Sequence, residues 1–312
     1  MLSGFLIGGI LYDAKDSKSY YRTFYSRRIY RIFPLYFIWL ALFVVGLHFI
    51  HPYSGSEFRG IFNRNVPVWY YPLFLQNVSF AWQQKWGSAW MDSTWSLAVE
   101  EQFYLLLPLL VRNLSYRGLT ALAMASIVCA PIIRMIWLSG NELAQYTLLP
   151  SRADALGFGV LIALACRNQR AWEWLVSHRA HLYWAFLLLG CGVAFLVKYP
   201  RHLYPFGLTW VAAFYTSLLL LTVVNPGPLE TTSFRSQTLV KLGTVAYAVY
   251  IFHQGINALM RFAFFGERSN VSNWTSLSVT LLSLITVMLL AALSWRLLEK
   301  PLIQRSHIVY RY

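Results

Sequence analysis

The chain has 312 residues, 57% of them hydrophobic and 17% aromatic, with only 12% charged and a mean hydropathy of +0.48. That balance excludes an ordinary soluble globular domain and points to lipid as the natural solvent. The formal charge of +14 at pH 7 stands in short basic clusters between apolar runs, a topogenic pattern that argues against nucleic-acid binding.

Backbone polar groups in hydrocarbon must be satisfied within the segment, so a crossing chain is helical or a closed barrel, and long unbroken apolar runs favour helices. A bilayer core needs about 20 residues per helix. In chain order, the apolar runs predict a short piece at residues 1–12 and spans near 32–50, 94–112, 118–138, 152–167, 181–198, 206–224, 240–262 and 274–298. The expected fold class is therefore all-α, a polytopic transmembrane helical bundle of about nine helices. No repeat, linker or second composition regime interrupts residues 1–312, which are expected to form one domain. The opening MLSGFLIGGIL has no basic residues ahead of its apolar core and is not a signal peptide. Cys129, Cys166 and Cys191 fall in or beside apolar helices and give neither a disulfide framework nor metal spacing.

If residues 13–31 are cytoplasmic, the connections 112–117, 167–180, 225–241 and 296–312 fall on the same side. Those inner segments hold 17 of the 26 Lys and Arg, so span count and charge bias agree. The outer loop 51–93 is rich in Trp69, Tyr70, Tyr71, Asn77, Trp82, Trp86 and Trp90. Such rings suit an interfacial belt; they also suit stacking on a sugar, and the sequence leaves both readings open.

Ionisable groups inside spanning helices are costly, which makes each a functional candidate. In STWSLAVEEQFYLLLPLL, Glu100 lies roughly 10 Å past the outer helix start at Thr94. Ser96, Glu100 and Tyr104 recur at i, i+4 and i+8 and share a face, whereas Glu101 lies with Leu97, Leu105 and Pro108. Glu100 is therefore the better candidate for a cavity, with a buried ion pair or a helix-start carboxylate as the alternative account. Arg28 and Arg31, three apart in YSRRIYRIFPLYF, have the geometry to fork phosphate oxygens, and positive-inside anchoring explains them equally. Arg152 and Asp154 in SRADALGFG open a helix at the outer side, where a local pair is the simple reading. His253 in KLGTVAYAVYIFHQGIN sits about 18 Å from the inner face, near the depth of Glu100, and suits either helix-helix hydrogen bonding or catalysis.

Six runs, MLSGFLIGGIL, FYSRRIYRIFPLYF, STWSLAVEEQFYLLLPLL, SRADALGFGVLIAL, LGTVAYAVYIFHQGIN and SWRLLEKPLI, together resemble the acyltransferase-3 family of membrane O-acyltransferases. Members modify bacterial surface polysaccharides, lipopolysaccharide O-antigen, peptidoglycan and small natural products. The resemblance implies a multi-pass protein of the bacterial inner membrane. It implies an acyl-CoA donor bound from the cytoplasm, an extracytoplasmic carbohydrate or glycolipid acceptor such as O-antigen or exopolysaccharide, and no metal or redox cofactor. Arg28 and Arg31 would hold the donor phosphates. Glu100, with Ser96 in a Ser-x-x-x-Glu pattern, and His253 would be catalytic, and Arg152, Asp154 and Tyr104 would line the same cavity.

The family usually begins with a further helix carrying a basic residue and a histidine that looks like the general base. Here Met1 falls where the second family helix starts, so an N-terminally incomplete domain with little or no activity is expected. Rival readings are a transfer other than acetyl, a transporter or lipid-carrier flippase, and a non-catalytic remnant. The topology is directly testable. Reporter fusions after residues 20, 115, 175 and 305 should read cytoplasmic, and fusions after 75, 145 and 268 external; two inversions beyond residue 31 would refute the arrangement.

Overall fold

The computed structural model describes residues 1–49, 60–224, 236–266 and 273–312. Parts of three connections, 51–59 of the outer loop, 225–235 of the inner one and 267–272 of the last outer one, therefore lie outside the described residues. Among those described there is no strand. The helices are α1 (Leu2–Asp13), α2 (Tyr20–Phe49), α3 (Gln76–Gln83), α4 (Trp95–Asn113), α5 (Tyr116–Ile136), α6 (Glu142–Thr147) and α7 (Leu149–Ala165). They continue as α8 (Gln169–Ser177), α9 (Arg179–Lys198), α10 (Gly207–Val224), α11 (Gln237–Phe265), α12 (Trp274–Ser294) and α13 (Lys300–Val309). A π-helical turn, Trp295–Glu299, joins α12 to α13.

Every expected span is helical where described, and α3, α6, α8 and α13 are short additions in the connections. Among the described residues six helices are long and apolar enough to cross a membrane: Tyr20–Phe49, Tyr116–Ile136, Glu142–Ala165, Arg179–Lys198, Gly207–Val224 and Trp274–Val309. The protein is a multi-pass membrane protein. α4, at 19 residues, and α11, at 29, have the length to span, but Glu100, Glu101 and Gln102 in one and His253, Gln254 and Asn257 in the other dilute their apolarity. α2 begins at Tyr20, well before the apolar run, so the basic segment is itself helical.

The helices gather into two compact units, each discontinuous in sequence: residues 1–20 with 99–236, and residues 21–98 with 237–312. In the first unit α7 is central and packs on α1, α5 and α10. Helices in lipid gain little from apolar burial against one another, so close backbone approach through small residues is what binds them. A Cβ on Gly4 would strike the Leu156 carbonyl oxygen, and one on Gly159 would lie 2.6 Å from the Phe5 nitrogen. A Cβ on Gly157 would come within 2.9 Å of the Ala123 oxygen in α5. α9 packs on α10 and buries no residue, leaving Leu187, Leu188 and Val197 exposed, as suits a lipid-facing helix.

The second unit is held by aromatic packing. Trp39 of α2 and Trp90 stack at 3.9 Å, and each indole N–H donates to the other's carbonyl oxygen, at 3.0 and 3.2 Å. Gly255 of α11 makes room for the stack, since a Cβ there would lie 2.6 Å from the Trp39 ring. Tyr36 donates to the Tyr71 oxygen at 2.8 Å and stacks on Phe74. The aromatics of the outer loop thus divide. Tyr71, Asn77 and Trp90 are core, while Trp69, Trp82 and Trp86 are exposed and remain available to an interface or a ligand.

Overpacking a tight site costs about 1–3 kcal/mol or more. Gly159→Val should lower the melting temperature in detergent, whereas Gly243→Ala, where a Cβ meets nothing within 4 Å, should leave it unchanged or raise it. Equal behaviour of the two would mean that the α1–α7 contact does not hold the first unit.

Candidate functional site

The first unit contains Glu100, Tyr104, Arg152 and Asp154. Glu100, in the second turn of α4, accepts from Ser3 Oγ at 2.6 Å through Oε1 and from Tyr104 OH at 3.2 Å through Oε2. No Lys or Arg among the described residues lies within ion-pair distance of it. Its neighbour Glu101 is more buried, at 8% exposure. The nitrogen of Met1 lies within electrostatic range of Glu100, Arg152 and Asp154, which places these three charges in one region of the unit.

Asp154 is fully buried, and its partner is not Arg152, as a local pair would have it, but Arg134 of α5, at 2.9 Å. Arg134 is itself wholly buried. Its Nε donates to the Pro205 carbonyl at 2.6 Å, Nη1 to the Ser151 carbonyl, and Nη2 to Thr209 Oγ1 at 2.5 Å as well as to Asp154. Thr209 in turn donates to Asp154 Oδ2 at 2.5 Å, and the Ala155 amide to Oδ1 at 2.8 Å. Arg152 remains in electrostatic range of Asp154 without forming the close ion pair, and its guanidinium lies 5.4 Å from the Tyr146 ring centroid and near Tyr204. Burial, with Tyr146 and Glu142 nearby, pushes the Tyr204 phenol up to about 12.

The second unit contains Ser96, His253, Arg28 and Arg31. Ser96 and Glu100 keep the common face expected of i, i+4 neighbours, but Ser96 Oγ shares its hydrogen bond with Tyr250 OH at 2.7 Å. Tyr250 OH also donates to the Ser93 carbonyl. His253 Nδ1 lies 2.6 Å from the Tyr250 carbonyl oxygen, and the ring is exposed. A carbonyl oxygen only accepts, so in the neutral ring this contact puts the proton on Nδ1 and the lone pair on Nε2. Tyr250 thus meets Ser96 through its phenol and His253 through its backbone carbonyl, at opposite ends of the residue.

Arg28 and Arg31 stand three apart in α2, with Arg31 exposed. Arg27 is engaged by the chain itself. It donates twice to the Tyr310 carbonyl, at 3.1 and 2.8 Å, and lies 5.2 Å from the Tyr312 ring centroid. Thr23 donates to the Arg311 carbonyl at 2.9 Å, so the C-terminal residues run along the basic start of α2. Glu299, in the π-turn and 4% exposed, accepts from Ser294 at 2.8 Å and lies in electrostatic range of Arg31.

Four of these participants escape sequence reasoning: Ser3, Arg134, Tyr250 and Glu299. Arg134 had a signal, since a lone cation in an apolar helix is an intramembrane charge. Tyr250 stands three residues before His253, on the same helix face. Ser3 and Glu299 had none beyond residue type.

Removing one member of a buried ion pair costs about 3–5 kcal/mol, while removing both charges is far milder. Arg134→Met should therefore abolish folded protein or sharply lower its melting temperature, and adding Asp154→Asn to that variant should restore part of the loss. Additive losses would show that the pair is not coupled.

The profile described as an acyltransferase domain, Acyl_transf_3, matches residues 1–296. Among curated proteins, the chain is 25% identical over 332 aligned residues to the peptidoglycan O-acetyltransferase OatA of Listeria monocytogenes, covering 99% of this chain and 51% of that protein. It is 26% identical over 325 residues to the putative peptidoglycan O-acetyltransferase YrhL of Bacillus subtilis, covering 97% and 49%. It is 23% identical over 331 residues to the O-acetyltransferase OatA of Staphylococcus aureus, covering 99% and 53%. The chain thus spans about half the length of these relatives. No solved structure matches it. A profile match over almost the whole of a helical, membrane-spanning chain places it in the acyltransferase-3 family.

Proposed function

We propose that this chain is a membrane O-acyltransferase that moves an acyl group, acetyl in the first instance, from cytoplasmic acyl-CoA to a hydroxyl of an extracytoplasmic carbohydrate. Peptidoglycan is the acceptor to test first, because the Listeria and Bacillus relatives are named for it; O-antigen and exopolysaccharide come next.

The observation that carries the reading is the orientation of His253. With Nδ1 turned to the Tyr250 carbonyl at 2.6 Å, Nε2 is the basic nitrogen and the exposed ring can present it to an acceptor. In the transfer the acceptor oxygen attacks the thioester carbonyl, Nε2 takes the hydroxyl proton as the new bond forms, and the CoA thiolate leaves. Arg28 and Arg31, in the same unit, are assigned to the donor phosphates. Tyr247 OH donates to the Ile32 carbonyl at 2.7 Å, next in sequence to Arg31, and His253 lies six residues, roughly 9 Å, further along α11. Glu100, held by two hydroxyls, is assigned to hold the acceptor hydroxyl.

The test is acyl transfer from radiolabelled acetyl-CoA in membranes containing residues 1–312. A positioned base is worth about 10²–10⁴-fold, so His253→Ala should lower kcat by that order. Arg31→Ala should instead raise the donor KM about tenfold or more, as loss of a charge-assisted phosphate contact does. Activity that ignores His253, or appears only after grafting a first helix with its own histidine, would move the base to another helix. Thioester left unconsumed in every form would overturn the acyltransfer reading.

A further inference from the structure

We infer that Ser3 is the positioning residue for Glu100: its hydroxyl fixes one carboxylate oxygen, so that the other is presented in a single orientation to an acceptor hydroxyl. The inference rests on the assignment of Glu100 to the acceptor.

Ser3 stands in the first turn of α1, and its hydroxyl donates to a carboxylate 97 residues away. At 2.6 Å the bond is in the range of a charge-assisted O–H···O⁻ contact, whereas that of Tyr104, at 3.2 Å, is long for one. Ser3 is therefore the stronger of the two restraints. Tyr104 comes from the same helix as Glu100 and moves with it, so among the described residues it is Ser3 that fixes the carboxylate relative to a different helix.

The position of Ser3 is itself rigid. It is adjacent to Gly4, where a Cβ would strike the Leu156 carbonyl of α7, and it shares a short helix with Gly8, where a Cβ would lie 3.5 and 3.7 Å from Val160 and Ala163. α7 carries Arg152 and Asp154 near its start. The small-residue seam between α1 and α7 thus sets the hydroxyl, and the hydroxyl sets the carboxylate. A serine suits this role because its single rotatable donor has one well-defined target, while its small side chain does not disturb the seam.

The experiment compares the whole chain with Ser3→Ala, Ser3→Thr and Glu100→Gln. Acetyl transfer in Ser3→Ala should fall about tenfold to a hundredfold in kcat, in keeping with loss of one hydrogen bond to a charged group, with donor KM and the detergent melting temperature unchanged. Ser3→Thr, which keeps the hydroxyl, should recover most of the rate. A second readout does not need turnover: the Glu100 carboxylate stretch, isolated as the infrared difference between wild type and Glu100→Gln, should shift in Ser3→Ala and return in Ser3→Thr. Loss of activity in Glu100→Gln with full activity in Ser3→Ala would overturn the role of Ser3 alone, as would a carboxylate band that ignores Ser3. Full activity in Glu100→Gln would instead overturn the assignment of Glu100 itself.

Discussion

Hydrocarbon does not solvate charge, and the interior of this protein is arranged around that constraint. Arg134 shows it most fully. A guanidinium wholly out of solvent is tolerated because Pro205, Ser151, Thr209 and Asp154 take its donors, and such a cation without them would cost several kcal/mol. The same contacts tie α5 to the starts of α7 and α10. What looks like a stabilising bond is better understood as a requirement: once an arginine stands in α5, these helices must present oxygen at these places.

The constraint also decides how helices adhere. Apolar side chains gain little by leaving lipid for one another, so the contacts depend on shape and on hydrogen bonds. The two units solve this differently. In the first, glycines at 4, 157 and 159 let backbones approach closely enough for dispersion to accumulate. In the second, large rings interlock, and Trp39 and Trp90 satisfy each other's indole N–H while stacking. A polar handle on a buried ring is acceptable where its partner is fixed, and here each ring fixes the other.

The location of the helices was legible in the sequence because hydropathy and helix length are local properties, read one segment at a time. The partners were not, because they are set by which face of each helix turns inward. Asp154 illustrates the difference. Its neighbour two residues away, Arg152, is the natural partner on spacing, yet Arg134, 20 residues earlier, takes it, since α5 and α7 pack together along their length. Ser96 likewise shares a helix face with Glu100 and nonetheless pairs with Tyr250. The basic start of α2 gave no hint that Arg27 binds the C-terminal backbone while Arg31 stays exposed, because positive-inside charge and phosphate binding call for the same residues.

Saturation separates the charges that hold the fold from those available to chemistry. Asp154 accepts from Arg134 and Thr209 on one oxygen and from a backbone amide on the other, so its capacity is taken up by structure. That makes it a weaker candidate for handling a substrate than its place in the motif suggests. Glu100 is different: its two donors are neutral hydroxyls, and no Lys or Arg among the described residues pairs with it. A carboxylate retained in an apolar helix with no Lys or Arg paired to it among the described residues is costly as pure architecture. His253 follows the same logic, with one ring nitrogen committed to a carbonyl and the ring left exposed. Arg31 is exposed and lies in electrostatic range of Glu299, so part of its charge is answered within the chain.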